Sequence, residues 1–200
     1  MPPGDPEGVR VDKPSIKGVA FQSVADDIHR LRKERRIGEA ELATFLKPDD
    51  MPHLDEMVVP SLWYPIGRYG RCLELLCEVE GEGPHRYLVD RGAKAAERMM
   101  AVGSYRHFLA AAGRWGQRAG QAMLQLAAAM YSFTDWQVRH DPATDGYTLE
   151  VQRAADFPDS ARYTAQGFVE VLFSKIGGQP VQVVTRRPRP DLVTYEIRQS

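Results

Sequence analysis

The sequence predicts an α+β fold: a helical layer packed on a four-stranded antiparallel sheet of two hairpins joined by a helix. Two observations carry this reading. Apolar residues recur at helical spacing up to Phe133 and then switch to strict alternation. From Trp136 to Arg198 the order is strand, strand, helix, strand, strand, with turn residues between them.

The elements follow in order. Residues 1–14 are rich in Pro, Gly and Asp and read as a disordered tail. Residues 15–50 form an N-terminal helical appendage, and residues 51–200 the α+β ligand-binding-like domain. Ile16 to Phe21 is a short strand or an extended docking segment. Ser23 then acts as N-cap, with Asp26 and Asp27 in the first turn and Val24, Ile28 and Leu31 on one stripe. The basic run Arg30 to Arg36 suits a helix C-terminus, and a second helix covers Glu39 to Leu46. Residues 47–61 contain three prolines and read as a connector. Trp63 and Tyr64 precede a helix through Ile66, Tyr69, Cys72, Leu73, Leu76 and Val79. Helical patterning resumes from Arg86 to Ala112, broken at Gly103-Ser104, and again from Arg114 to Phe133. Gly116 and Gly120 there mark close approach of another element, because each glycine costs a helix about 1 kcal/mol against alanine.

In the final third, Trp136, Val138 and His140 face one way and pair with Tyr147, Leu149 and Val151. A helix opens near Asp156-Phe157-Pro158 and ends at Gly177-Gly178. Pro188 and Pro190 mark the turn of the second hairpin, since neither can donate to a ladder.

Composition bounds the function. The net charge of -1 favours neither nucleic acid nor an anionic membrane, and no apolar run approaches the roughly 20 residues of a membrane span. No export signal is visible, so a cytoplasmic location is expected. Cys72 and Cys77 read as buried thiols of a reducing compartment, not as a disulfide. His53, Asp55 and Glu56 match no metal-ligand spacing, and no metal is expected.

No catalytic signature appears. There is no G-x-S-x-G, and Ser104 with His107 is a helix break with polar groups. Gly177-Gly178 precedes a strand and cannot cradle a phosphate at a helix N-terminus. Among five histidines, His107, beside Phe108 and near Trp115, is the best axial ligand for a haem. Arg186, Arg187 and Arg189 form a basic hairpin tip that would dock an acidic partner.

Several segments together carry a resemblance. They are Ile16 to Phe21, the run Trp63-Tyr64-Pro65-Ile66-Gly67-Arg68-Tyr69, and Arg91-Gly92-Ala93-Lys94-Ala95-Ala96 running on to Gly103-Ser104-Tyr105. Gly167 to Leu172 in a helix ending Gly-Gly, and the strand Tyr195 to Arg198, complete them. Over most of residues 16–198 the chain resembles an uncharacterised bacterial family with many paralogues per genome. That family is similar in layout to the superfamily of haem-nitric-oxide-binding, vinyl-reductase-like and Bet3-type vesicle-tethering proteins. The resemblance implies binding of small apolar ligands or dimeric assembly, and no catalytic residues. The Tyr-x-Ser-x-Arg motif of the haem-binding members is missing: Tyr131 is followed directly by Ser132, and no arginine follows in place.

The expectation is a non-enzymatic small-ligand-sensing or protein-interaction module in cytoplasmic regulation. It acts as a homodimer whose partner is a small apolar ligand or a protein, with no cofactor and haem not expected. Trp63, Tyr69, His107 and Trp115 are the candidate pocket residues. The alternatives are an enzyme or accessory protein of a biosynthetic pathway, and a dimeric scaffold without ligand.

Overall fold

The computed structural model describes residues 13–81, 83–101, 117–141 and 146–199. The chain begins with β1 (Ser15–Lys17), α1 (Gly18–Lys33), α2 (Glu39–Phe45) and α3 (Met51–Asp55). It continues through β2 (Trp63–Pro65), α4 (Ile66–Glu80), α5 (Pro84–Ala101) and α6 (Gln117–Met130). It closes with β3 (Asp135–Asp141), β4 (Gly146–Gln152), α7 (Asp159–Gly177), β5 (Val181–Arg189) and β6 (Leu192–Gln199). The predicted α+β layout is the observed one: β3-β4-β6-β5 form a four-stranded antiparallel sheet under a helical layer. Residues 1–12 lie outside the described residues.

Alternation along the strands sorts the sheet's two faces. Trp136, Val151 and Val193 sit in register across three strands, as do Val138, Leu149 and Tyr195. Tyr147, Leu149, Val151, Val193, Tyr195 and Ile197 are buried on this face. Helix α7 covers it with Val169, Leu172 and Phe173, all buried. Gly178 ends that helix in the left-handed conformation at φ 70°.

Helix α1 starts earlier than Ser23, at Gly18. The connector supplies what a first turn lacks: Gly18 N–H donates to the Leu62 carbonyl at 2.8 Å, and Val19 N–H to that of Pro60 at 3.0 Å. With those donors satisfied, no side-chain cap is required, and Ser23 falls inside the helix. A two-stranded sheet underlies this arrangement, with Ile16 opposite Tyr64. The connector itself coils into a short 3-10 turn at Pro48–Asp50 followed by α3.

Pro188 does not mark the second turn. It lies inside β5, where the register shifts between Arg186 and Arg189, and the chain reverses at Pro190 and Asp191. A bulge leaves a residue unpaired, so a missing N–H costs nothing there.

Two contacts fix the helical layer. Helices α5 and α7 meet at glycines: a Cβ on Gly92 would fall on the Thr164 carbonyl oxygen, and one on Gly167 on that of Val89. Helix α4 is tied to the connector by Asp50, 1% exposed. Its carboxylate accepts from Arg68 Nε at 2.9 Å, from Arg71 Nε and Nη2 at 2.8 Å each, and from the Lys47 N–H at 2.9 Å. Burial alone would raise the Asp50 pKa, but these donors, Arg71 first, outweigh it and hold the carboxyl at about 2.

Gly167→Ala is expected to destabilise the chain by about 1–3 kcal/mol or more in urea unfolding, because the obstacle is backbone that cannot step aside. Asp50→Ala should cost about 3–5 kcal/mol by stranding buried guanidinium charge. The Asp50 contribution is fully present above the ordinary carboxylate pKa, near pH 4, and is lost as pH falls toward 2. Acid-unfolding curves of the wild type and Asp50→Ala should therefore converge over that window.

Candidate functional site

Three helical stripes face one another at the helix–sheet junction. On α1 the stripe is Val19, Gln22, Ser23 and Asp26; on α5 it is Arg91, Ala95, Arg98 and Met99. On α6 it is Met123, Leu126, Ala127 and Met130, again at three- and four-residue spacing. Between them lies a cavity of about 310 Å³, closed by Tyr69, Tyr131, Trp136, Ala165 and Phe168. That is the lower end of the range for small-ligand pockets, roughly 300–1,000 Å³.

Its walls are chemically divided. The α6, α7 and sheet sides carry thioether, aliphatic and aromatic groups with the hydroxyl of Thr164, and the α1–α5 side carries Gln22, Ser23, Asp26, Arg91 and Arg98. Arg91 is held in the wall. It lies 2.8 Å from Asp27 Oδ2, and its Nη2 donates to the Ser23 carbonyl at 2.9 Å. Arg98 is exposed at the rim.

Of the two phenols in the lining, Tyr69 is buried and Tyr131 is half-buried against the core. Tyr69 meets Phe21 edge-on, with centroids 6.1 Å apart, and burial pushes its phenol up to about 12. Tyr131 stacks on Trp136 at 5.8 Å and 18°, and burial, with Tyr69 and Tyr195 nearby, raises it well above the ordinary value. Both stay protonated at neutral pH and act as neutral wall groups, not as bases. The thiols of Cys72 and Cys77 are likewise buried and raised, Cys72 to about 12. Among the described residues no group of three or more His, Cys, Asp or Glu could hold a metal ion.

The residues singled out from sequence scatter. Tyr69 lines the cavity. Trp63 does not: it is half-buried in β2 with the Lys17 ammonium 4.2 Å from its ring centroid. His107 and Trp115 lie outside the described residues. At the hairpin tip, Arg187 binds the Pro190 carbonyl at 2.9 Å, the Ala154 carbonyl at 3.0 Å, Asp159 at 3.2 Å and the Phe157 carbonyl. It pins the start of α7, while Arg186 and Arg189 make exposed pairs with Glu196 and Asp191. The cavity's own polar residues, Arg91 and Arg98, were missed. Their three- and four-residue spacing with Ala95 and Met99 was the readable signal, submerged in a helix with charges on several sides.

No protein-family model matches the sequence, and neither does any curated protein. Solved structures do match in fold. The Fe(II) unliganded H-NOX protein from K. algicida aligns over 92% of this chain and 97% of its own, with TM-score 0.64 and 11% identity. The S. oneidensis H-NOX protein in its Fe(II)NO ligation state aligns over 92% and 99%, with TM-score 0.62 and 10% identity. An H-NOX structure solved to probe heme distortion aligns over 92% and 95%, with TM-score 0.60 and 12% identity. The chain shares the fold of these proteins, which is the haem-nitric-oxide-binding layout that the sequence resembles.

This likeness corrects the expectation of no cofactor with haem set aside. Structures that share the fold hold iron and concern heme. The missing Tyr-x-Ser-x-Arg removes one anchoring device, not the cavity that an anchor serves. The chemistry of the lining is compatible with such a group: apolar side chains suit a macrocycle, the Arg98 guanidinium suits an acid side chain, and Met99, Met123 and Met130 are thioethers of a type that holds haem iron.

Spectrophotometric titration should show Tyr69 and Tyr131 still protonated at pH 11, so that Tyr69→Phe and Tyr131→Phe leave the absorbance step near pH 10 unchanged. Their folded-state pKa values lie above the unfolded value, so stability should hold below pH 10 and fall as pH rises toward 12.

Proposed function

We propose that this chain is a non-enzymatic ligand-sensing module whose receptor site is the helix–sheet cavity, with haem as its occupant. The cavity carries the reading: a largely apolar chamber of about 310 Å³ with the Arg98 guanidinium at its rim, at the junction of the two layers. Fold similarity to H-NOX proteins over 92% of the chain supports haem as the group. Haem would supply an iron centre able to take a small ligand. The chain's residues supply the rest. Met123, Leu126 and Phe168 exclude water, and Tyr69 and Tyr131 remain neutral against an apolar body. His107, which lies in sequence between the stripes of α5 and α6, is the proposed axial ligand. Trp115 follows it as a pocket residue.

The module is proposed to work as a cytoplasmic homodimer. Among the described residues no helix is long and apolar enough to cross a membrane. The exposed side chains of Met57, Val59 and Leu62 supply apolar surface for a partner, and Arg186 and Arg189 a basic one.

Hemin added to the purified chain should give a saturable 1:1 Soret band, and native mass spectrometry should retain the added mass. Ala127→Trp, which fills the cavity, should abolish both, and His107→Ala should move the band. Absence of a Soret band and of retained mass in the wild type rejects haem. The same native spectrum reads the dimer, and a chain mass without doubling rejects it.

A further inference from the structure

The two cations of the cavity wall are not equivalent. The Arg91 side chain is 10% exposed and fully engaged, by Asp27 at 2.8 Å, the Ser23 carbonyl at 2.9 Å and the Tyr87 hydroxyl at 3.5 Å. Arg98 follows seven residues later, about 10 Å along α5 at 1.5 Å per residue. It is exposed, it lines the cavity, and no carboxylate, carbonyl or phenol among the described residues pairs with it. Of the two neighbouring acids on α1, Asp27 is taken up by Arg91 and Asp26 lines the cavity without pairing to Arg98. Next to Arg98, Met99 turns the lining apolar. Among the described residues the slot therefore has an apolar interior and, on its rim, the Arg98 guanidinium with no counter-charge paired to it.

We infer that the ligand of this cavity is an apolar molecule bearing a carboxylate, which pairs with Arg98 while the apolar body lies against Met99, Met123, Leu126 and Phe168. This rests on the ligand-binding reading and names the class of ligand. A planar guanidinium takes a carboxylate through two parallel N–H donors, and such charge-assisted bonds are about twice as strong as neutral ones. A neutral hydrocarbon would gain nothing from Arg98. The three thioethers let the interior adapt to bodies of different shape, so the acid group and not the outline sets the preference. A porphyrin acid and a long-chain fatty acid share this chemistry and differ only in the body.

The full chain is titrated with two probe pairs: protoporphyrin IX against its dimethyl ester, and cis-parinaric acid against its methyl ester. The iron-free porphyrin removes axial ligation from the reading. In the wild type at least one acid is expected to bind about tenfold or more tighter than its ester, with the preference shrinking as salt rises. Arg98→Gln should bring acid and ester to near-equal affinity by weakening the acid alone, and Arg98→Lys should keep part of the preference. Acid and ester binding alike in the wild type overturns the inference and leaves the cavity a ligand site. So does a preference that survives Arg98→Gln, or an ester affinity that falls together with the acid's. Failure of all four probes to bind overturns the inference and the ligand-binding reading together. Binding of the fatty acid but neither porphyrin upholds the acid anchor and rejects haem.

Discussion

Helices α5 and α7 touch backbone to backbone at Gly92 and Gly167, and the rest of the molecule is arranged around that contact. Each glycine takes the place where the other helix presents a carbonyl oxygen, Thr164 for Gly92 and Val89 for Gly167. Two glycines cost their helices about 1 kcal/mol each against alanine, so the close approach has to return more than that in packing. Helix α7 lies directly on the sheet, and α5 lies on α7. The contact thus sets how far the helical layer stands from the strands. It also sets where α5 aims the stripe that carries Arg91 and Arg98.

Charge does the remaining positioning. Arg91 reaches across to α1 and is met there by Asp27 and the Ser23 carbonyl. That fixes one long wall of the cavity as a polar seam between two helices. Asp50 plays the same part farther away, gathering Arg68 and Arg71 of α4 onto the connector. Arg68 Nη1 is the one buried side-chain N or O atom without a partner among the described residues. Both clusters join segments distant in sequence, and both involve arginine, whose planar fork serves two or three acceptors at once.

The sheet and its crossing helix were legible because period-2 alternation is a local signal with few alternatives. Tyr147, Leu149 and Val151 had to face one way whatever lay above them. The boundaries that sequence misplaced were those set from outside the element. Gly18 opens α1 because Leu62 and Pro60 happen to accept its first N–H groups, and nothing near Gly18 in sequence states that. Pro188 sits within β5 because the partner strand slips beside it. The cavity was the least legible part. Its lining comes from α1, α4, α5, α6, α7 and the start of β3, so Tyr69 was found as one aromatic among many while Arg98 looked like any surface arginine. The fold was legible through the resemblance, because the order of helices and hairpins is carried by many residues, whereas a short motif such as Tyr-x-Ser-x-Arg is carried by three.

Trp136 belongs to two structures at once. On one side it forms part of the cavity wall and stacks on Tyr131; on the other it stacks on Tyr195 at 5.9 Å and 8°. Tyr195 is fully buried at the middle of the sheet, and its hydroxyl donates to the Arg162 carbonyl of α7 at 3.2 Å. Rings stacked this flat cannot tilt independently without losing their contact. The three rings form one unbroken stack that runs from the cavity wall to the middle of the sheet and, through the Tyr195 hydroxyl, to α7. The lining of the chamber and the core of the sheet are thus one packed unit, and a change of side chain at position 136 would be felt in both.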